Sequence, residues 1–208
     1  MNLKQYLSPQ TLKRFKSKHN INVELVTFSG SLRLDMGDLT QSGEVIEKIW
    51  NKAINDLLPK SRRPQSALIL GFGAGSAAKL LARRYPGITL TGVELDPTVI
   101  DIARKHFNVD SIPNLTIHNS EAAKFVRQDN RQYDLILVDC YLGDQFPKSL
   151  ESPSFLKLLV DKSPHVIINR LFWGIYQPKT LEFHEKLKKD FKTTTTRTTS
   201  NYLISLKK

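Results

Sequence analysis

Three glycines at alternate positions, Gly71, Gly73 and Gly75, are followed along the chain by the acids Glu94, Glu121 and Asp139. These residue types at this spacing suit a nucleoside. Glycine carries no Cβ, so a ligand can approach the backbone closely. A helix opening just after such a turn offers N–H donors at its N-terminus. An acid at the tip of the following strand can accept hydrogen bonds from both ribose hydroxyls. On that plan Glu94 holds the ribose, and Glu121 accepts from the adenine amine. Leu95 and Ala122, the neighbours of these two acids, complete the binding set, and Asp139 faces the reacting carbon. Each feature also has a plainer meaning. A glycine turn can bind nothing, and an acid at a strand end often caps the next helix.

Spacing separates two kinds of nucleoside. In the dinucleotide fingerprint the third glycine would fall at position 76, where this chain has Ser76. The glycines here follow instead the GxGxG pattern of S-adenosylmethionine-type enzymes. A sulfonium donor has no pyrophosphate to cradle, so the turn can be tighter.

These residues need a scaffold. Residues 67–70 form a short apolar run suited to a buried parallel strand. A helix follows, with Leu80 and Leu81 toward the sheet, until Pro86-Gly87 breaks it. Residues 88–93 read as a second strand ending at Glu94. Further along, strands are expected at 115–118, 133–139 and 165–169, and helices at 97–107, 121–126, 155–160 and 180–191. Residues 193–206 supply two closing strands. The alternation predicts an α/β fold: a Rossmann-like, doubly wound, mostly parallel sheet with helices on both faces. Ligands of such sheets lie outside the carboxyl ends of the strands, where the glycines and all three acids fall. Upstream, residues 3–18 read as one or two amphipathic helical turns, and 21–36 as a hairpin turning at Ser29-Gly30. A polar link, 37–43, leads to a helix over 44–58. The expected organisation is an appendage, 1–43, on a catalytic domain, 44–208.

Composition sets bounds. The 208 residues are 40% hydrophobic and 25% charged, ordinary for a globular protein. No apolar run approaches the ~20 residues that span a bilayer. The first ten residues lack a signal-peptide core, so the cytoplasm is the expected compartment and no membrane partner is expected. The single cysteine, Cys140, makes neither an internal disulfide nor a cysteine-based zinc site, and no metal is expected. Of the net charge of +11, residues 1–63 carry +5, 64–176 carry +1 and 177–208 carry +5. The presumed donor-binding core is nearly neutral. Its basic flanks leave nucleic acid open as a partner, alongside a plain solvated surface.

The runs LILGFGAGSAAKLL, VELDPTVIDIARKHF, SEAAKFV and YDLILVDCYLGDQFP, with the upstream LRLDMGDLTQSGE, resemble the spermidine synthase-like (polyamine aminopropyltransferase) group of class I S-adenosylmethionine-fold transferases. The resemblance covers roughly residues 21–170. It implies that Gly71, Gly73 and Gly75 line the donor, S-adenosylmethionine or its decarboxylated form. It implies that Glu94 binds ribose, that Glu121 stands near adenine, and that Asp139 assists deprotonation of an attacking amine. Gln41, Tyr141 and Asp144 are its substrate-side residues, a small-molecule amine its acceptor, and a homodimer its expected assembly. The chain departs from the family at three places. Ala74 replaces the aspartate of the glycine loop, Leu142 stands where the gate loop has a second aspartate, and Ile49-Trp50 shows no active-site tyrosine. Three functions therefore stand open: an aminopropyl or other alkyl transferase; a methyltransferase on nucleic acid or a small molecule; and a non-catalytic module that binds a partner through Trp50, Trp173 or the basic ends.

Overall fold

The computed structural model describes residues 8–37 and 39–208. Two sheets make the molecule. The smaller is antiparallel, in the order β1 (Gln10–Phe15), β2 (Val23–Phe28), β3 (Ser31–Met36) and β4 (Leu39–Ser42). The larger has seven strands. From one edge it runs β7 (Leu115–Asn119), β6 (Thr89–Glu94), β5 (Ser66–Leu70), β8 (Leu135–Val138), β9 (Val166–Leu171), β11 (Asn201–Lys207) and β10 (Lys192–Arg197). The five strands from β7 to β9 are parallel, and β11 runs antiparallel to both its neighbours. From β5 the chain steps outward through β6 to β7 at one edge, then crosses back to β8 on the other side of β5. The switch point therefore lies between β5 and β8, where a ligand crevice is expected.

The alternating side chains of β5 show why its apolar run had to be buried. Ala67 and Ile69 belong to one core with α1 (Glu44–Leu57), α2 (Ser76–Arg84) and α3 (Pro97–Phe107). Leu68 and Leu70 belong to the other, with α4 (Ala122–Gln128), α5 (Pro153–Lys162) and α6 (Tyr176–Leu187). The small sheet joins the first core through Val23, Leu25, Leu34 and Met36, which pack with Ile49 and Trp50 of α1. Each such buried side chain contributes about 2 kcal/mol.

Three expectations are corrected. Residues 10–15 are a strand, not helical turns: β1 pairs with β2, and Thr11 and Arg14 both bond Glu24 across the ladder. Of the apolar residues that suggested a helix, Leu12 is exposed while Phe15 packs against the first core. The helical turns expected over residues 3–7 lie outside the described residues. The link 37–43 is not merely polar, because it contains β4, held to β3 by backbone pairing. The last helix begins earlier than expected, at Tyr176, with Pro178 in its first turn, where proline is tolerated. The hairpin turn does fall at Ser29-Gly30, both with positive φ. No described helix is long and apolar enough to cross a membrane.

Candidate functional site

A cavity of about 210 Å³ opens at the carboxyl ends of β5, β6 and β8, lined by Gly71, Gly73, Glu94, Leu95, Glu121, Ala122, Asp139 and Tyr141 among others. The chain thus brings acids from three strand ends into one hollow. The local sequence dictates this. At Gly71 (φ +81°) a Cβ would stand 2.2 Å from the Asp139 carbonyl oxygen, so only glycine lets the β5 and β8 ends approach this closely. Gly75 is not among the residues that line this cavity. It opens α2 in the left-handed region, and a Cβ there would strike Val109.

The turn has spent its own donors. The N–H groups of Gly71 and Phe72 donate to the Val93 carbonyl, Gly73 to Glu94 Oε2 (2.9 Å), Ala74 to Ser42 Oγ (2.7 Å) and Gly75 to the Phe72 carbonyl. Such a turn is poorly equipped for a pyrophosphate and suits a ligand end that needs no array of N–H donors.

The carboxylates are fixed in different ways. Glu94 accepts from the Gly73 and Asp96 N–H groups, one on each oxygen, which leaves lone pairs for ligand hydroxyls. Burial raises its pKa, and those hydrogen bonds oppose the rise. Glu121 caps α4, accepting from the Ala123 and Lys124 N–H groups, while it also lines the cavity. The helix cap and the cavity wall are thus one residue. Asp139 accepts from Trp50 Nε1–H (3.0 Å) on Oδ2 and from Asn169 Nδ2 (2.8 Å) on Oδ1. Burial pushes its pKa up, and the two donors pull it back. Asn201 Nδ2 donates in turn to Asn169 Oδ1 (2.9 Å), so a relay of amides sets the carboxylate's angle. Cys140 also lines the cavity. Burial and the nearby carboxylates Glu94, Asp139 and Glu121 keep it a thiol.

A second cavity, of about 230 Å³, lies on the far side of Asp139, and Gln41, Asp139 and Tyr141 line both. The Tyr141 hydroxyl donates to the Asn169 carbonyl and accepts from the Leu171 N–H, which ties the loop after β8 to β9. Burial raises its pKa. Asp144 is not brought here. It accepts from the Tyr176 hydroxyl (2.6 Å) and from Gln145, in a separate cavity with Arg170.

Several site residues were not singled out by type and spacing. Ser42 and Ser76 clasp the glycine turn to the end of β4: Ser42 Oγ accepts from Ala74, and Ser76 Oγ accepts from the Gly43 N–H. Asn20 lines the first cavity, anchored through Nδ2 to Asp96, and its buried Oδ1 has no partner among the described residues. Ser17 also bonds Asp96, so this one acid, the N-cap of α3, ties the small sheet's loop to the end of β6. Trp50 and Asn169 lie 89 and 30 residues from Asp139. No local spacing signals either contact.

The strand order, the crevice at the switch point and the acid-lined hollow define a Rossmann-like class I methyltransferase fold. A family model described as a methyltransferase domain matches residues 67–152. A polyamine aminopropyltransferase of Vibrio vulnificus is 32% identical over 113 residues, covering 51% of this chain and 38% of that protein. One of Sulfurisphaera tokodaii is 30% identical over 165 residues, covering 76% and 52% respectively. The chain therefore spans about half or less of the length of these relatives. Among solved structures, a spermidine synthase in complex with the transition state analogue AdoDATO superposes with a TM-score of 0.76 at 16% identity, covering 96% of this chain and 74% of that one. The chain therefore carries a methyltransferase-domain core of the class I fold and is similar, over part of their length, to polyamine aminopropyltransferases.

Proposed function

We propose that this chain is a transferase that moves an alkyl group from an S-adenosylmethionine-type sulfonium donor to a small nucleophilic acceptor, with Asp139 as the base. One observation carries the reading: Asp139 stands where two cavities meet. The first suits the donor. Glu94 has lone pairs for ribose hydroxyls, Glu121 and Ala122 lie where adenine would rest, and the carboxylates favour a cationic sulfonium. The second would hold the acceptor, leaving the attacking atom and the donor carbon on either side of one carboxylate.

The chemistry asks little else of the protein. An alkylammonium cannot attack until it loses a proton, and a carboxylate with a raised pKa is a fitting place for it. The acceptor nitrogen then bonds to the donor carbon while the carbon–sulfur bond breaks. Its electron pair stays on sulfur, which leaves as a neutral thioether. No acid is needed for that leaving group, so positioning supplies much of the rate. Gln41 and Tyr141, which line both cavities, are the further substrate-side residues in this reading. Asp144, turned into its own cavity, has no part in it.

A specific observation favours methyl over aminopropyl transfer. Ala74 is buried and offers no carboxylate where the family holds an aminopropyl ammonium. Among the described residues no lysine or arginine lines either cavity, which supports a small molecule over nucleic acid as acceptor. Titration calorimetry with S-adenosylmethionine and its decarboxylated form tests the donor site, and absence of heat with both would reject it. Asp139→Asn is expected to lose about 100-fold or more in product formation while donor affinity stays within a few-fold. Undiminished turnover by that variant would remove Asp139 as base.

A further inference from the structure

We infer that the second cavity selects an acceptor with a single basic nucleophile at one end of an apolar body, not an amine charged at both ends. The inference rests on reading the first cavity as the donor site, and it concerns the groups on the other side of Asp139. The body of the cavity is apolar: Leu39, Val45, Ile46, Ile49, Leu171 and Trp173 supply its walls. Its strongest hydrogen-bonding groups gather at the Asp139 end and are already bonded to one another. Asn201 donates to Asn169, Asn169 donates to Asp139, and the Tyr141 hydroxyl is engaged with the backbone of β9. One cationic head fits beside Asp139 at this end.

Among the described residues, the rest of the lining gives a second ammonium nothing of opposite charge. Asp139 is the one ionisable acid among the described residues that line the cavity. The neutral Thr40, Gln41 and Ser200 offer dipoles only. Asp144, the next acid along the loop after β8, is committed to Tyr176 and Gln145 in the neighbouring cavity. A cation desolvated without a counter-charge is strongly disfavoured, whereas a methyl or aromatic end gains from burial against Ile49 and Trp173. The same carboxylate that deprotonates the acceptor thus also sets how many charges it can carry.

The chain's two tryptophans both report on this place: Trp173 lines the cavity and Trp50 bonds Asp139. Pentylamine and putrescine are nearly equal in length and differ in having a methyl or an ammonium at the far end. Fluorescence titration at neutral pH is expected to give pentylamine a Kd at least about tenfold lower. Equal or tighter binding of putrescine, or no response to either amine, would overturn the inference. Val45→Asp adds a carboxylate at an exposed position (54%) in the first turn of α1, where an acid is tolerated. It is expected to bring the two dissociation constants within about threefold of each other, and an unchanged ratio overturns the inference. The donor titration is separate. If neither donor binds, the donor-site reading fails while the amine ratio still stands or falls by itself.

Discussion

At the scale of single residues, the proposed chemistry depends on how Asp139 is held. Two neutral donors, Trp50 Nε1–H and Asn169 Nδ2, stabilise the ionised carboxylate against the burial that raises its pKa. Removing a donor to the charged form lets the pKa climb further. Turnover needs the carboxylate ionised, so activity is lost as pH falls through that pKa. Trp50→Phe is therefore expected to move the acid limb of the pH–rate profile to higher pH, with little change on the alkaline plateau. A profile that merely scales down, with its acid limb unmoved, would show that Trp50 only fills space. Asp139 itself was legible from type and position at a strand end. Its two donors were not, because each comes from a distant element.

At the scale of elements, the glycine turn is held from outside as well as within. The buried Ser42 at the end of β4 accepts the Ala74 N–H, and Ser76 answers by accepting the Gly43 N–H. Ser42→Ala leaves a buried N–H unsatisfied, which costs about 1–3 kcal/mol. The loss is expected as a lower urea midpoint, together with weaker donor binding because Gln41 is no longer held beside the cavity. A midpoint unchanged from the parent protein would mean that water or another acceptor replaces the hydroxyl. The sequence placed Gln41 and Ser42 in a link. Tertiary pairing made them a strand, because β3 offered a free edge.

At the scale of the whole molecule, β1–β4 form a sheet of their own but share a core with α1. Val23, Leu25, Leu34 and Met36 are buried with Ile49, Trp50 and Ile54. The small sheet and the large one are therefore expected to unfold together. In urea, tryptophan fluorescence, which senses the shared core at Trp50, is expected to give the same midpoint as far-ultraviolet circular dichroism. An earlier fluorescence midpoint would instead mark residues 1–43 as a unit that detaches.

The amino-acid sequence by itself determined the alternation of strands and helices, the glycine turn and the three strand-end acids. They follow from local properties, apolar period and backbone freedom, and from the general rule that such sheets take ligands at the carboxyl ends of their strands. Only the tertiary structure decided that Gly75 serves packing, that the turn's donors are already spent, and that Asp144 faces a cavity of its own. The pairing of β1 with β2, and of Asp139 with Trp50 and Asn169, belongs there too. Such outcomes depend on which distant groups arrive at the same place, and on whether a hydrogen-bonding group is satisfied before any ligand comes. Local spacing carries neither.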